Sequence, residues 1–525
     1  MVSRQNKIGL GIAFICIAVL AIIYYDSLLE RGPLNTHLWR QTDCLSITKN
    51  YADGAPFFEP EMHVLYADNE TSGKSAGEFP ILYYAVGSIW KVTGESFMVY
   101  RVFYLLILVT ALLAFFKSLQ MVFGSNFWSI ALTLILFTSP VLAYYGISFL
   151  TDAPAFCFML ISLYCFTVYQ IKGKRRWLYW FAAFMALAGL LKISMLISFV
   201  FLGFIYLLEL FPTIKTLGSR KLFEDRKHGF IALLIVVLVI LSWYGYAGYY
   251  NSIHKFEYTF NSTYSLWDVP AVEMKNLFQE IQFLTIPVFY SKPMLLLLGG
   301  AFIFNLFSFK KVPLFAYLAS IVIPFGAFSY FVLWAPLMGV HDYYYVAYLV
   351  LVPGILLPLV WRLKTIHSKL YSHFVLKAAF VVFLVFNIIY CKEVIAYKTL
   401  RQNGDSLFIA NEDFKKVMRW TNWTVSEHWN SLYLMRSSLA EMGIKKEDKV
   451  IAYPDFSFNT SLYLMDRNGW TNMRDYRNQE SIDYLKSKGA KYIVIHDPSL
   501  LTEPFIAPYL DQQIGQYKNV SVFKI

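Results

Sequence analysis

The sequence predicts a polytopic α-helical membrane protein with about eleven transmembrane helices and a C-terminal extracytoplasmic α/β domain. Two observations carry the membrane prediction: 57% of the 525 residues are hydrophobic, and only 15% are charged. With a mean hydropathy of +0.47, the chain lies far outside the range of soluble globular domains. The third observation is a change of composition after Tyr390, where the long apolar runs stop. We therefore divide the chain into a transmembrane domain, residues 1–390, and a smaller domain, residues 391–525.

The first apolar run sets the orientation of all the others. Ile8–Tyr25 follows Arg4 and Lys7 and is long enough to span, so we interpret it as an uncleaved helix that begins in the cytoplasm. Because successive spans cross the membrane in opposite directions, the first run determines the direction of each later one. The basic loops, of which Lys172–Arg176 is the richest, then fall on the cytoplasmic side. The predicted spans are Ile8–Tyr25, Val99–Phe116, Phe127–Ala143, Ala155–Tyr169, two helices within Trp177–Phe211 that meet at Lys192, Phe230–Tyr250, Met294–Phe307, Leu314–Leu333, Tyr348–Trp361 and Val375–Tyr390.

The formal net charge of +11 follows from the same loops. Lysine and arginine gather in short segments between apolar runs, without the interleaved aromatic residues of a nucleic-acid surface. We therefore expect membrane lipids, and no nucleic acid, as partners. The odd number of spans places residues 391–525 outside the cytoplasm, and we expect the protein in a bacterial inner membrane.

The part after Tyr390 shows alternating strand and helix patterns, which predict a small α/β domain with a largely parallel sheet. No glycine-rich phosphate-binding loop follows its first strand, so we assign no nucleotide. The predicted strands are Lys449–Tyr453, Lys491–Ile495 and Ser521–Ile525, and the predicted helices are Ser457–Met465 and Ser481–Lys488.

Ionisable side chains at membrane depth are costly, by about 2.5–3.5 kcal/mol on insertion scales, and therefore mark functional sites or wet cavities. The predicted topology places seven such residues at the outer ends of spans, and several of them lie in the first outer loop, residues 31–101. Their convergence on one face predicts a site there. The seven are Arg40, Asp43, Glu78, Asp152, Lys192, His341 and Asp342.

Asp43 is the candidate general base of this site. It follows Arg40 by three residues, which places both side chains on one face of a helix. A solvated carboxylate, or one half of an ordinary pair with Arg40, is the competing interpretation. Asp152 lies between Thr151 and Ala-Pro154, so it is either a second functional carboxylate or a first-turn residue favoured by the helix dipole.

The candidate cations and aromatic residues also have both a structural and a functional interpretation. Lys192 lies in an apolar hairpin without an acidic neighbour in sequence, and it either snorkels to the interface or binds a lipid phosphate. His341 and Asp342 precede three tyrosines, which alone would form an aromatic belt, but the two polar residues indicate phosphate or metal contacts. A divalent ion is therefore a candidate cofactor, with Asp43, Asp152 and His341 as candidate ligands.

Taken in order, these motifs resemble those of the GT-C membrane glycosyltransferases, in the branch of the protein O-mannosyltransferases and the lipid A aminoarabinose transferase. Relatives have an acidic residue in the first outer loop, like Asp43, and an arginine that opens the next span, like Arg101. Many relatives place a lysine before the proline knuckle, where this chain has Glu78, so we expect Lys74 or Arg40 to replace that phosphate contact. The other matching motifs are Phe79-Pro-Ile-Leu-Tyr-Tyr84, Ser139-Pro140, Thr151-Asp-Ala-Pro154, Gly189-Leu-Leu-Lys-Ile193 and His341-Asp-Tyr-Tyr-Tyr345.

The resemblance implies a glycosyltransferase of the cell envelope that uses a sugar on a polyprenyl phosphate, such as undecaprenyl phosphate. The acceptor would be a hydroxyl group of a lipid, a glycan or a protein. Asp43 would act as general base in an inverting displacement, with Asp152 as a second catalytic carboxylate. The residues expected to bind the donor phosphate are Arg40, Lys192, His341, Tyr344 and Tyr345, and those expected to bind the substrates elsewhere are Glu78, Tyr83, Arg101 and Asp342.

Two other classes of function remain open at this point. A transporter, or a flippase for lipid-linked glycans, also carries charges near helix ends. The location of the charges on one face, the long first outer loop and the lack of an internal repeat disfavour this alternative. Residues 391–525 could instead form a protein-binding scaffold, and its test is whether their removal spares catalysis.

Overall fold

The computed structural model describes residues 4–33, 36–211, 221–256, 263–399, 412, 414–415, 428–474 and 477–525. Helices dominate up to Lys398, and strands form the C-terminal part. The helices are α1 (Arg4–Tyr25), α2 (Leu38–Asp53), α3 (Ile81–Thr93), α4 (Phe97–Phe123), α5 (Asn126–Phe137), α6 (Pro140–Tyr145), α7 (Asp152–Lys172), α8 (Arg175–Leu191), α9 (Ile197–Leu210), α10 (Arg226–Ile253), α11 (Ala271–Glu280), α12 (Ile286–Phe289), α13 (Lys292–Leu306), α14 (Leu314–Val340), α15 (Leu351–Ile366), α16 (Ser368–Ser372), α17 (Phe374–Lys398), α18 (His428–Leu434), α19 (Arg436–Glu441), α20 (Thr460–Met465) and α21 (Gln479–Ser487). The 3₁₀ segments are Ile193–Leu196, Leu266–Asp268, Asp342–Val350, Pro498–Thr502 and Ala507–Tyr509, and Ile281–Thr285 is a π-helix.

Eight helices in the described part of the chain are long and apolar enough to cross a membrane, or nine if one bent pair counts as a span. These nine correspond to nine of the predicted spans, and they make the chain an integral membrane protein. The eight are Lys7–Tyr25, Phe97–Phe123, Asp152–Lys172, Ile193–Leu210, Arg226–Ile253, Leu314–Val340, Asp342–Ile366 and Phe374–Lys398.

The two remaining predicted spans correspond to shorter helices. The predicted span Phe127–Ala143 is broken into α5 and α6, because Pro140 has no amide hydrogen and begins a new helix. The first helix of the predicted pair within Trp177–Phe211 is α8, which has 17 residues and ends directly before Lys192. The total of eleven spans stays a prediction.

The segment before α13, which the sequence predicts as part of a long outer loop, is helical in the structure. The rod Ala271–Phe289 is bent by 92° from Lys292–Leu306. The bend has a local cause: Tyr290 and Ser291 are extended, and the Ser291 hydroxyl accepts a hydrogen bond from the Met294 amide at the start of α13. The apolar residues of this segment therefore form a helix at an angle to the bundle.

Within the segment between α1 and α4, helix α2 packs against helix α3. Gly87 permits this contact, because a Cβ atom at this position would lie 2.7 Å from the Thr48 carbonyl oxygen and 2.8 Å from Tyr51 Cβ. α2 is buried along most of its length. The residues Arg40 and Asp43 are thus held inside the protein.

The C-terminal sheet has the strands β1 (Lys449–Tyr453), β2 (Gly469–Trp470), β3 (Ala490–Ile495), β4 (Gln513–Tyr517) and β5 (Val520–Lys524) in the order β2-β1-β3-β5-β4. β1 pairs in parallel with β2 and β3, whereas β5 pairs antiparallel with β3 and β4. The predicted strands and helices occur, but the sheet is mixed. β5 enters the sheet antiparallel to β3, and β4 pairs with β5 through a tight hairpin in which Lys518 adopts a positive φ of 54°.

The sheet is extended by a piece of the segment between α1 and α4. Val64 forms a parallel bridge with Gly469, the Leu65 amide donates to the Gly469 carbonyl at 2.8 Å, and the Gly469 amide donates to the His63 carbonyl at 3.1 Å. One hydrophobic core accordingly continues from the helical bundle into the C-terminal sheet. The two parts of the chain are packed together rather than joined only by a linker.

Candidate active site

Helix α2 places the first two candidate residues in the interior. His37 precedes it in the left-handed conformation, with φ 58°, and the helix then runs from Leu38 to Asp53. The side chains of Arg40 and Asp43 are both buried, with relative exposures of 8% and 3%. A solvated carboxylate at position 43 is therefore excluded, and Asp43 lies where water is largely absent.

Glu78 is the carboxylate that meets Arg40. It precedes Pro80 at the start of α3, forms an ion pair with the Arg40 guanidinium, and accepts hydrogen bonds from the hydroxyl groups of Tyr83 at 2.8 Å and Thr151 at 3.1 Å. Burial alone would raise the pKa of Glu78, but Arg40 and Lys192 outweigh it and lower that pKa to about 2. Glu78 is thus negatively charged at neutral pH and holds the Arg40 guanidinium by an ion pair.

Asp152 and Lys192 form a second ion pair next to the first. Asp152 begins α7, Lys192 follows α8 in an extended conformation, and the Lys192 ammonium lies 3.5 Å from the Asp152 carboxylate. Burial opposes the charge of Lys192, yet Asp152 and Glu78 raise the pKa of Lys192 above its ordinary value. Asp152 is therefore more than a helix cap, and Lys192, with 20% of its side chain exposed, does not snorkel freely.

Aromatic rings and two histidines form the adjoining wall. The His341 ring lies 5.3 Å from the His37 ring and 5.3 Å from the Tyr343 ring, measured between centroids. The Lys192 ammonium lies 5.8 Å from the Tyr343 centroid, and Tyr344 packs 4.9 Å from Tyr343. Burial, with His37 as a further cause, lowers the pKa of His341 to about 3. The His341 imidazole is consequently neutral and can donate one N–H group.

Asp342 faces protein groups. Its carboxylate pairs with His37 Nε2 at 3.1 Å, accepts a hydrogen bond from the Tyr145 hydroxyl, and forms an ion pair with the Lys398 ammonium, which is completely buried. These contacts join the segment before α2 to α6 and to the end of α17. The predicted role of Asp342 in substrate binding stays a prediction, and its position favours a role in orienting His37.

The structure brings in residues that the sequence analysis did not single out. His37, Tyr145 and Lys398 surround Asp342, and Thr151 donates to Glu78. Two weak signals were available in the sequence: His37 lies six residues before Asp43 in the first outer loop, and Lys398 is a cation that follows an apolar run. Neither signal identifies a partner, because the contacts join segments that are distant in sequence.

Two predicted substrate-binding residues, Tyr83 and Arg101, and one predicted phosphate-binding residue, Tyr345, have protein partners of their own. The Tyr83 hydroxyl contacts Glu78 and the Cys44 sulfur, and Tyr345 accepts a hydrogen bond from the Thr285 hydroxyl at 3.1 Å. Arg101 donates from Nε and both terminal nitrogens to the backbone carbonyl groups of Arg31, Ile147 and Gly32, at 3.1, 2.7 and 3.0 Å.

Arg101 also lies over the Phe149 ring, with its guanidinium carbon 4.3 Å from the centroid. The side chain is 1% exposed. These contacts indicate that Arg101 holds the segment before α2 against the loop after α6. Its role in substrate binding stays a prediction.

The candidate metal ligands do not form a metal centre by themselves. Within the described ranges, no group of three or more histidine, cysteine, aspartate or glutamate side chains has a metal-binding arrangement. Asp43, Asp152 and His341 therefore do not provide a three-ligand set, and we assign no step to a metal. All five cysteines of the chain are free thiols.

A comparison with protein families identifies one match. The family described as Dolichyl-phosphate-mannose-protein mannosyltransferase matches residues 77–244, a stretch that contains Glu78, Asp152 and Lys192. No curated protein sequence matches the chain.

Solved structures match over nearly the whole chain. ArnT from Cupriavidus metallidurans in the apo state is 12% identical, with a TM-score of 0.55, over 99% of this chain and 98% of that one. The same protein bound to undecaprenyl phosphate is 13% identical, with a TM-score of 0.53, over the same shares of the two chains.

Two further glycosyltransferases share the architecture. The Archaeoglobus fulgidus oligosaccharyltransferase tethered with an acceptor peptide is 11% identical, with a TM-score of 0.53, over 94% of this chain and 69% of that one. The arabinofuranosyltransferase AftD from Mycobacteria is 12% identical, with a TM-score of 0.57, over all of this chain and 40% of AftD. Together with the order of its apolar helices and its small C-terminal sheet, these matches show that the chain has the GT-C fold of membrane glycosyltransferases.

Proposed function

We propose that the protein is a glycosyltransferase that moves a sugar from a polyprenyl phosphate to an acceptor hydroxyl group at the outer face of the membrane, with inversion at the anomeric carbon. The observation that carries the proposal is the charge cluster of Arg40, Glu78, Asp152 and Lys192, contributed by four separate segments, whose side chains are at most 20% exposed. Such a cluster is costly at the membrane boundary unless it serves a charged substrate.

The cations of this cluster suit the phosphate of the donor. Glu78 holds Arg40, Asp152 holds Lys192, and the neutral His341 ring lies in the aromatic wall next to Lys192. Hydrogen bonds to a charged group contribute about 1.5–3 kcal/mol each. As the sugar leaves, the phosphate gains a second negative charge, and Arg40 and Lys192 would stabilise it. Tyr344, and more remotely Tyr345, would border the same region.

The isoprenoid tail of such a donor would lie between helices, in contact with the apolar faces of the bundle. The solved structure of ArnT with undecaprenyl phosphate supports this class of lipid for the fold. We infer that the donor carries this lipid or a related polyprenyl phosphate.

Asp43 is the proposed general base. In the transfer step the acceptor oxygen forms a bond to the anomeric carbon, the bond from that carbon to the phosphate oxygen breaks, and its electron pair leaves with the phosphate. The proton of the acceptor hydroxyl passes to the Asp43 carboxylate. A positioned base accelerates such a step by about 10²–10⁴-fold, and holding both substrates at one boundary adds the benefit of proximity.

The first experiment tests this function directly. Purified protein is incubated with a panel of polyprenyl-phosphate sugars and with hydroxyl acceptors from lipids, glycans and proteins, with and without a chelator, and the consumption of each donor is followed. Consumption of one donor with formation of a glycosylated product is the expected result. Transport of a lipid-linked glycan in proteoliposomes without any sugar product would contradict the proposal and favour a flippase.

The second experiment tests Asp43. We expect Asp43→Asn to keep the folded state and membrane insertion but to lower kcat by about 10²–10⁴-fold. Asp268→Asn is the matched control, because Asp268 is exposed in the short 3₁₀ segment Leu266–Asp268. Full activity in Asp43→Asn would rule out this residue as the base.

A further inference from the structure

One face of α2 is polar and yet turned toward the protein. Thr42, Ser46, Lys49 and Asp53 recur at intervals of four, three and four residues, so they lie within about 60° of one another around the helix. Thr42 and Ser46 are completely buried. Buried polar groups need partners. The C-terminal α/β part of the chain, residues 428–474 and 477–525, meets Thr42 directly and meets Ser46 through His63.

The first contact lies directly next to the proposed base. The Thr42 hydroxyl lies 3.0 Å from the Thr460 hydroxyl, and Asn459 Nδ2 donates to the Thr42 carbonyl oxygen at 3.4 Å. Both threonine side chains are 0% exposed. Thr460 is the first residue of α20, so this short helix packs against α2 one residue from Asp43.

The second contact runs through His63. Ser46 Oγ lies 2.6 Å from His63 Nδ1, and His63 Nε2 lies 3.3 Å from the carboxylate of Asp466. Because the backbone around His63 is itself paired with Gly469, the histidine is held between α2 and the sheet. The serine, histidine and aspartate form a rigid bridge, and the serine has no access to solvent.

The third contact is a cluster of charges at the end of α2. Lys446 donates to Asp53 at 2.8 Å and lies 3.6 Å from Asp466, and Lys49 donates to Asp53 at 2.6 Å and lies 4.0 Å from Asp466. These partly exposed pairs add little energy individually. They do, however, extend the contact with the C-terminal part along the full length of the helix.

Arg40 and Asp43 lie on other sides of α2 than this polar face, and Arg40 pairs with Glu78. At 100° per residue, Asp43 points about 100° away from Thr42, and Arg40 about 160° away. The rotation and the axial position of α2 therefore determine where Arg40 and Asp43 lie relative to Glu78 and Lys192, and α3 and the C-terminal part both hold α2 in place.

We propose that the C-terminal α/β part is a positioning element of the active site, and that Thr460 and Asp466 are positioning residues that act through α2 on Arg40 and Asp43. The inference rests on the proposed function. A misplacement of about 1 Å at a reacting group can cost about 10²-fold in rate, so loosening one of the three contacts has a measurable effect.

The test uses the full-length protein with substitutions that spare the local backbone. Thr460→Val removes the hydroxyl at constant shape, and Thr460→Ser restores it. Asp466 has a positive φ of 52°, and asparagine tolerates this conformation, so Asp466→Asn removes the charge and one acceptor oxygen at nearly constant shape. Asp448→Asn is the matched control, because Asp448 bonds within the C-terminal part, to Lys445 and Lys491.

We expect Thr460→Val and Asp466→Asn to lower kcat about tenfold, with a smaller change in the KM for the donor, because Lys192 and His341 do not lie on α2 and keep their positions. Thr460→Ser and Asp448→Asn should keep wild-type kcat. Activity is normalised to the amount of monodisperse protein, and Tm is measured for every variant.

Three results overturn the inference while leaving the proposed function intact. Thr460→Val and Asp466→Asn could retain wild-type kcat, could match the effect of Asp448→Asn, or could lose activity only in proportion to the loss of folded protein. If instead the wild-type protein transfers no sugar from any donor, the proposed function itself fails, so the two failures are distinguishable.

Discussion

At the scale of single residues, the site is a balance of buried opposite charges. Arg40 and Glu78 form one pair, Lys192 and Asp152 the other, and Glu78 also interacts electrostatically with Lys192. A buried charge that loses its partner is strongly destabilising. The members of the cluster therefore depend on one another for stability as well as for chemistry.

Glu78 provides a prediction about stability and pH. Because its pKa in the folded protein is about 2, below the ordinary value of about 4.3, its stabilising effect is fully present above pH 4.3 and is lost as the pH falls toward 2. We expect Glu78→Gln to lower stability by about 3 kcal/mol at pH 7, with a difference in Tm from wild type that shrinks below pH 4.3.

The control for this measurement is Glu441→Gln, at an exposed position at the end of α19. The Tm of this variant should follow that of the wild type at each pH. A Tm difference for Glu78→Gln that stays constant down to pH 2 would show that the carboxylate charge is not the source of the stabilisation.

Arg101 provides a second prediction at this scale. A lysine cannot reproduce three hydrogen bonds to carbonyl groups and the stacking over Phe149. We expect Arg101→Lys to lower Tm, with a loss of about 2–3 kcal/mol, and to keep the donor KM of the folded fraction. Arg176→Lys, at an exposed position, serves as control. A rise in donor KM without a change in Tm would instead assign Arg101 to substrate binding.

At the scale of elements, the contact between α2 and α3 decides whether Arg40 reaches Glu78. We expect Gly87→Ala to push the two helices apart, since its Cβ atom would meet Thr48 and Tyr51 below 3 Å. The cost of such overpacking is about 1–3 kcal/mol, and kcat should fall with it. Tm and initial rates provide the measurement.

The matched control for this contact is Gly299→Ala in α13, where a Cβ atom would have no neighbour within 4 Å. This variant should be neutral or slightly more stable, by up to about 1 kcal/mol, because alanine favours helix more than glycine. If Gly87→Ala and Gly299→Ala had the same Tm and the same kcat, the close approach of α2 and α3 at Gly87 would be unimportant.

The elements also show where prediction from sequence succeeds. The apolar runs locate the long helices, and the strand Lys449–Tyr453 is predicted with its observed bounds, because hydropathy and β-branched residues are local properties. The bend between the rod Ala271–Phe289 and α13 was not predicted. It lies at Tyr290 and Ser291, directly before Lys292-Pro293, and the sequence analysis placed no helix before this break.

At the scale of the whole molecule, the order of the apolar helices determines which loops share a side of the membrane. If the chain has the predicted eleven spans, we expect the loop at Lys174 in the cytoplasm and the C-terminal part outside. We expect a cysteine introduced at Lys486 in a cysteine-free variant to react with an impermeant maleimide in intact cells. A cysteine introduced at Lys174 should react only after the membrane is opened.

Both positions are exposed, so the folded protein does not shield either cysteine from the reagent. Labelling of the two positions on the same side would contradict an odd number of spans between them and with it the predicted location of the site.

The sequence by itself determined the membrane class, the approximate order of spans and the small α/β end, because each depends on composition and on patterns within about 20 residues. It also selected Arg40, Asp43, Asp152 and Lys192 as charges at helix ends. Only the tertiary structure decided their partners, since ion pairs and hydrogen bonds act over a few ångströms between distant segments. Glu78 with Arg40, Asp342 with His37 and Lys398, and Thr42 with Thr460 are such pairings. The last of them makes the C-terminal part a neighbour of the proposed base, which no local pattern could show.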